Sequence, residues 1–116
     1  MSPAVPVEPW QVWWADLDPT QGREQAKKRP VVVVSSAFHL ALTAGQLVTV
    51  LPLTTVERPG WKHHVRIDSL RKPGWAITEQ VRTLSAGRLD GRPIGRLTAD
   101  EVAEVRTVLV RMLDVR

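Results

Sequence analysis

Four cations fall close together in one polar stretch, Arg23, Lys27, Lys28 and Arg29, with Glu24 and Gln25 between them. Cations at that density suit an anionic partner, and Arg29 carries a planar fork able to grip a phosphate through two donors. Glu24 and Gln25 could orient that arginine or contact a base edge; equally, Glu24 could be a solvated acid balancing Arg23 and Lys27. The histidines are His39, His63 and His64. Of these His64 suits acid and base work, although a histidine opening an alternating strand also reads as a surface residue, and His63 is expected on the opposite face. Cysteine is absent, which excludes a thiol nucleophile and disulfides. With no helix bearing a His/Glu ligand pair, neither a metal nor another cofactor is expected. Five tryptophans without a tyrosine offer stacking faces for single-stranded bases, worth about 1 to 3 kcal/mol each. Trp13 and Trp14 must leave opposite faces of one strand, so at most one meets the core. Trp61 follows Pro59-Gly60 and reads as a loop aromatic.

The elements that must position these groups can be read from periodicity and punctuation. At 116 residues and 43% hydrophobic content, the chain suits one domain with a modest core, residues 10–116, preceded by a flexible tail, 1–9, holding three prolines. A first strand is expected over Gln11–Leu17, closed by Asp18-Pro19. The run Val31–Val34 reads as a strand buried on both faces. A helical turn over Ala37–Thr43 precedes a third strand, Leu47–Leu53, which leaves Thr54-Thr55 at a strand end. Shorter extended pieces follow at His64–Ile67, Trp75–Thr78, Gln80–Leu84 and Gly91–Leu97, the last weakened by Pro93 and Gly95. Thr98 and Glu101 have capping-box spacing and open a helix, Ala99–Leu113, with Val102, Val105, Leu109, Met112 and Leu113 on one stripe read as core. Many short strands and one terminal helix imply a mainly β, half-open small barrel.

The net charge of +4 points to a nucleic acid, although surplus charge also serves solubility. No signal peptide or membrane span is expected in the sequence, so it reads as cytoplasmic. A chain this small gains apolar burial by pairing with a second copy.

Two longer blocks carry a resemblance. Val12-Trp13-Trp14-Ala15-Asp16-Leu17-Asp18-Pro19-Thr20-Gln21-Gly22-Arg23-Glu24-Gln25, followed by Lys28-Arg29-Pro30-Val31-Val32-Val33-Val34-Ser35, is similar to the N-terminal signature of MazF/PemK toxins. Pro52-Leu53-Thr54-Thr55 and Glu79-Gln80-Val81-Arg82-Thr83 come next in the family's order, and the resemblance spans residues 10–114. The chain departs at Trp10-Gln11, where many members carry Gly-Asp, and at Lys27, where small residues are common.

The resemblance implies an SH3-like barrel of the CcdB/PemK type with the terminal helix at 99–113. It implies a homodimeric toxin that cuts single-stranded RNA at short sequences without metal, and a cognate antitoxin as partner. The family's catalytic pair falls on Arg29 and Thr54. Glu24, Gln25, Lys27, Lys28, Thr55, Gln80 and Arg82 are the expected RNA contacts, with Gln80 and Arg82 sharing one strand face; packing is the rival reading for Gln80. RNA supplies its own nucleophile, so cleavage needs the 2′-hydroxyl aligned on phosphorus and charge stabilised on the non-bridging oxygens. The expected products are a 2′,3′-cyclic phosphate and a 5′-hydroxyl. Two other readings stay open: a non-catalytic gyrase-binding toxin of the CcdB type, and an SH3-like nucleic-acid-binding module.

Overall fold

The computed structural model describes residues 2–17 and 28–115. Its strands are β1 (Gln11–Asp16), β2 (Lys28–Val33), β3 (Leu47–Thr54), β4 (His64–Ile67), β5 (Gly74–Ile77), β6 (Arg82–Ser85) and β7 (Gly95–Arg96). Helix α1 (Ala37–Leu42) lies between β2 and β3, and α2 (Ala99–Met112) closes the described fold. The strands form a curled, half-barrel sheet in the order β4-β5-β3-β2-β1-β7, with β6 joined to β3. Neighbouring strands pair antiparallel throughout. The mainly β architecture with one long C-terminal helix is the one expected.

The central strands are apolar on both sides because both sides are covered. Trp13, Ala15, Val31, Val33, Val48 and Val50 pack on one face with Leu40 of α1, Leu84 and Leu89. Val12, Val32, Leu51 and Leu53 pack on the other with Val65, Ile67, Ala76 and Val105 of α2. Alternation along a strand sends successive residues to opposite faces, so an unbroken valine run in β2 feeds both clusters at once. Each fully buried valine or leucine contributes on the order of 1.5 to 3 kcal/mol.

Several boundaries differ from the sequence reading, each for a visible reason. The piece expected over Gln80–Leu84 begins at Arg82, since Thr78–Gln80 forms a 3-10 turn; Gln80 and Arg82 therefore do not share a strand face. The last strand shrinks to Gly95–Arg96, as Pro93 has no N–H to give and Ile94 donates to the Val12 carbonyl at 2.7 Å. Residues 2–9, expected as a tail, lie against the fold: Pro3 bridges to Gly91, and Val5 and Val7 pack on the first cluster. Gln11 is buried, and its Oε1 accepts from Trp13 Nε1 at 3.0 Å and from the Glu8 N–H at 2.8 Å.

Helix α2 opens as its spacing predicts: Thr98 caps the Glu101 N–H and Glu101 returns to the Thr98 N–H. Its stripe is core only in part. Val105 is buried and Val102 and Leu109 are half-buried, whereas Met112 and Leu113 are exposed, with Val110 beside them. Among the described residues no helix is long and apolar enough to cross a membrane.

Candidate active site

The register of β2 on β3 decides where Arg29 stands. Val31 faces Pro52 and Val33 faces Val50; carried two residues outward, the same antiparallel register sets Arg29 opposite Thr54. Directly opposed residues leave the same sheet face. The row continues on both sides, because Ala15 pairs with Arg29, Thr54 with Trp75, and Trp75 with Arg66. A guanidinium, a hydroxyl, an indole and a second guanidinium thus line one face across the strand ends. Arg66 lies over the Trp75 ring, 4.9 Å from its centroid, and its Nε donates to Asp68 at 2.7 Å.

Arg29 is exposed and has no hydrogen-bond partner among the described residues, so its donors are free for a ligand. Thr54 is half-buried. Its Oγ1 accepts the Val56 N–H at 3.1 Å, which fixes the oxygen and leaves the hydroxyl hydrogen to donate. Gly74 explains how β5 comes so close: a Cβ there would lie 2.7 Å from the Thr54 carbonyl oxygen.

The other expected contact residues are distributed more widely. Lys28 pairs across β1 with Asp16, next to the Ala15–Arg29 pair, so it leaves the face opposite to Arg29, while Thr55 sits in a bend just past β3. Lys28 is held by Asp90 at 2.7 Å. Thr55 lines a cleft of about 670 Å³ with Trp14, Pro30, Leu70, Arg71, Lys72 and Ile94. Trp14 is thus the wet member of its pair, while Trp13 is fully buried. Arg82 faces Val50, four residues back along β3, or about 13 Å from Thr54 at strand rise. Gln80 is exposed in its 3-10 turn. Glu24, Gln25 and Lys27, like Arg23, lie outside the described residues.

The histidines correct one expectation. His63 precedes β4 and sits in a turn, so strand alternation does not apply: its ring meets that of His64, with centroids 4.7 Å apart. Trp61 stacks on His63 at 5.3 Å and meets His64 edge-on at 5.2 Å. Burial, then the neighbouring His63 and Arg58, hold the His64 imidazole below its ordinary pKa against the pull of Glu79. It stays neutral at pH 7. His64 is two residues from Arg66 along β4, and its ring meets those of Trp61 and His63.

Residues 8–113 match the family described as PemK-like, MazF-like toxins of type II toxin-antitoxin systems. The chain belongs to this toxin family. Over 111 residues it is 35% identical to the endoribonuclease MazF9 of Mycobacterium tuberculosis, covering 90% of this chain and 93% of that protein. It is 33% identical over 72 residues to the endoribonuclease toxin MazF of Escherichia coli, 62% of each chain. Among solved structures, a MazE-MazF crystal form from Deinococcus radiodurans matches with a TM-score of 0.79 and 25% identity over 97% of this chain and 99% of that one. The Mycobacterium tuberculosis and Escherichia coli relatives are endoribonucleases by name, and the Deinococcus radiodurans crystal form holds MazF with MazE.

Sequence reasoning reached Arg29 and Thr54 through their motifs. It did not reach Trp75 and Arg66, which join the row only through the pairing of β3, β4 and β5.

Proposed function

We propose that this chain is a sequence-selective endoribonuclease toxin that cleaves single-stranded RNA at the Arg29–Thr54 row. The observation that supports the reading is the β2–β3 register, which, extended two residues past the Val31–Pro52 pair, would bring the Arg29 guanidinium across from the strand-end hydroxyl of Thr54. In the proposed step the substrate 2′-oxygen attacks the adjacent phosphorus and the bond to the 5′-oxygen breaks. The 2′-hydroxyl gives up its proton and the departing 5′-oxygen takes one, leaving a 2′,3′-cyclic phosphate and a 5′-hydroxyl. Arg29 places two donors on the phosphoryl oxygens as charge accumulates, and the Thr54 hydroxyl adds a third. A guanidinium stays protonated at neutral pH and is a poor base, so its part is charge stabilisation. The step calls for no metal.

The cleft of Trp14, Thr55, Arg71 and Lys72 on the other side of the strand ends suits the continuing strand, with an aromatic for a base and two cations for phosphates. The exposed Val110, Met112 and Leu113 at the end of α2 support a homodimer, since a second copy would remove them from water. The protein named MazE in the matched complex supports a cognate antitoxin as partner, and the reading places the toxin in the cytoplasm, where RNA is found.

Incubation of the purified protein with a pool of single-stranded RNA in EDTA tests this. Discrete cuts bearing cyclic phosphate are expected, and are lost in a folded Arg29→Ala protein. RNA left intact across many sequences overturns the proposal.

A further inference from the structure

We propose that His63, His64 and Glu79 bind one divalent transition-metal ion, best matched by Zn2+, which staples the turn before β4 to the segment after β5. The donor atoms of the three residues lie within 4.8 Å of one another. Both ring nitrogens of His64 are shut off from solvent without a hydrogen-bond partner, and the enclosed Nε2 of His63 meets the Glu79 carboxylate as an ion pair. Buried polar atoms normally find partners, and an orphaned His64 ring beside the His63 imidazole and a carboxylate is a donor set that lacks its central acceptor. A metal cation would take one ring-nitrogen lone pair from each histidine and one oxygen from the carboxylate.

The backbone explains why two consecutive histidines converge. Gly60, with φ of +85°, reverses the chain, and the Trp61 and His64 N–H groups donate to Arg58 and Trp61 carbonyls at 3.0 and 3.1 Å. The Thr78 hydroxyl then donates to the His63 carbonyl at 2.6 Å, tying that turn beside Glu79. Trp61 packs against both rings. Two imidazoles and one carboxylate are the donor set of a zinc site with one position left to solvent, with bonds of about 2.0 to 2.2 Å. Donors at those lengths stand about 3.4 Å apart in a tetrahedron, so small side-chain rotations close the present spacing. The ion would not touch Arg29 or Thr54, so the site and the proposed RNA cleavage stand or fall separately.

Tag-free protein titrated calorimetrically with ZnCl2 at neutral pH is the test. One saturable site in the micromolar range or tighter is expected, weakened at least about tenfold in Glu79→Gln and in His64→Gln and unchanged in His39→Gln. Added Zn2+ should also raise the melting temperature of the wild type but not of Glu79→Gln. Glu79 is exposed, so that variant keeps its fold and decides the matter alone if His64→Gln does not. Absence of saturable binding, or equal affinity in wild type and Glu79→Gln, overturns the proposal.

Discussion

Thr54→Val removes a hydroxyl and leaves the shape of the side chain nearly intact. In the fold that hydroxyl oxygen accepts only the Val56 N–H. Val56 is 54% exposed, so water can take up the donor and the stability cost stays below about 1 kcal/mol. The catalytic cost is larger. If the hydroxyl donates to a phosphoryl oxygen as charge develops, its loss resembles deletion of one oxyanion donor, about 2.7 to 4 kcal/mol or 10²- to 10³-fold in rate. Arg29→Ala should lose at least as much, since it removes two charge-assisted donors. Groups gripping one oxygen act as a unit, so the double variant should lose less than the product of the two single losses. Single-turnover cleavage of a fluorophore-quencher oligoribonucleotide in EDTA, with urea midpoints measured in parallel, provides the cycle. A wild-type rate in Thr54→Val, or strictly multiplicative losses, would refute the idea of a shared clamp.

Gly74→Ala should displace the Thr54 carbonyl, because its Cβ would fall 2.7 Å from that oxygen; cleavage should drop while RNA binding persists, measured by gel shift beside kinetics. Glu101 receives the Asp68 and Ser69 N–H groups, the Ser69 hydroxyl and the Thr98 N–H; burial raises its pKa, but these bonds outweigh it and hold the carboxyl below its ordinary value. A depressed folded pKa stabilises above the unfolded value and loses that support as pH falls through the folded one. Urea midpoints of Glu101→Gln should therefore lie below wild type at pH 7 by about 1 to 2 kcal/mol and converge with it below about pH 4. The exposed Lys28–Asp90 pair should matter little, so Asp90→Asn should change stability by less than about 1 kcal/mol in a chemical denaturation series. Leu113→Glu should shift sedimentation toward monomer, because it charges the exposed apolar end of α2.

The parts of the fold legible in the sequence were those where local chemistry and tertiary packing agree. Val31–Val34 announced a strand covered on both sides, and Thr98 with Glu101 announced the start of α2. The boundaries that shifted were set by long-range partners. Gln80 belongs to a turn, and His63 escapes alternation because Thr78 and Gly60 hold it in a reversal. Met112 and Leu113 have helical spacing but extend past the sheet that would cover them. For the site, motifs singled out Arg29 and Thr54, yet whether they can act together depends on register, and register is a property of two strands.

In β2 that register is a subtle matter. A ribbon of near-identical valines packs equally well after sliding, for either side would receive the same side chain. Residues flanking the run break that equivalence: Ser35 accepts the Thr49 N–H on its hydroxyl at 2.7 Å, beside main-chain bonds from the Trp10 N–H to the Val33 carbonyl at 2.8 Å and from the Val34 N–H to that of Thr49 at 2.9 Å. Arg29 is thus held from two directions, by its rung with Ala15 beside it and by side chains that end the valine run, so a slip of β2 would move the guanidinium and break both.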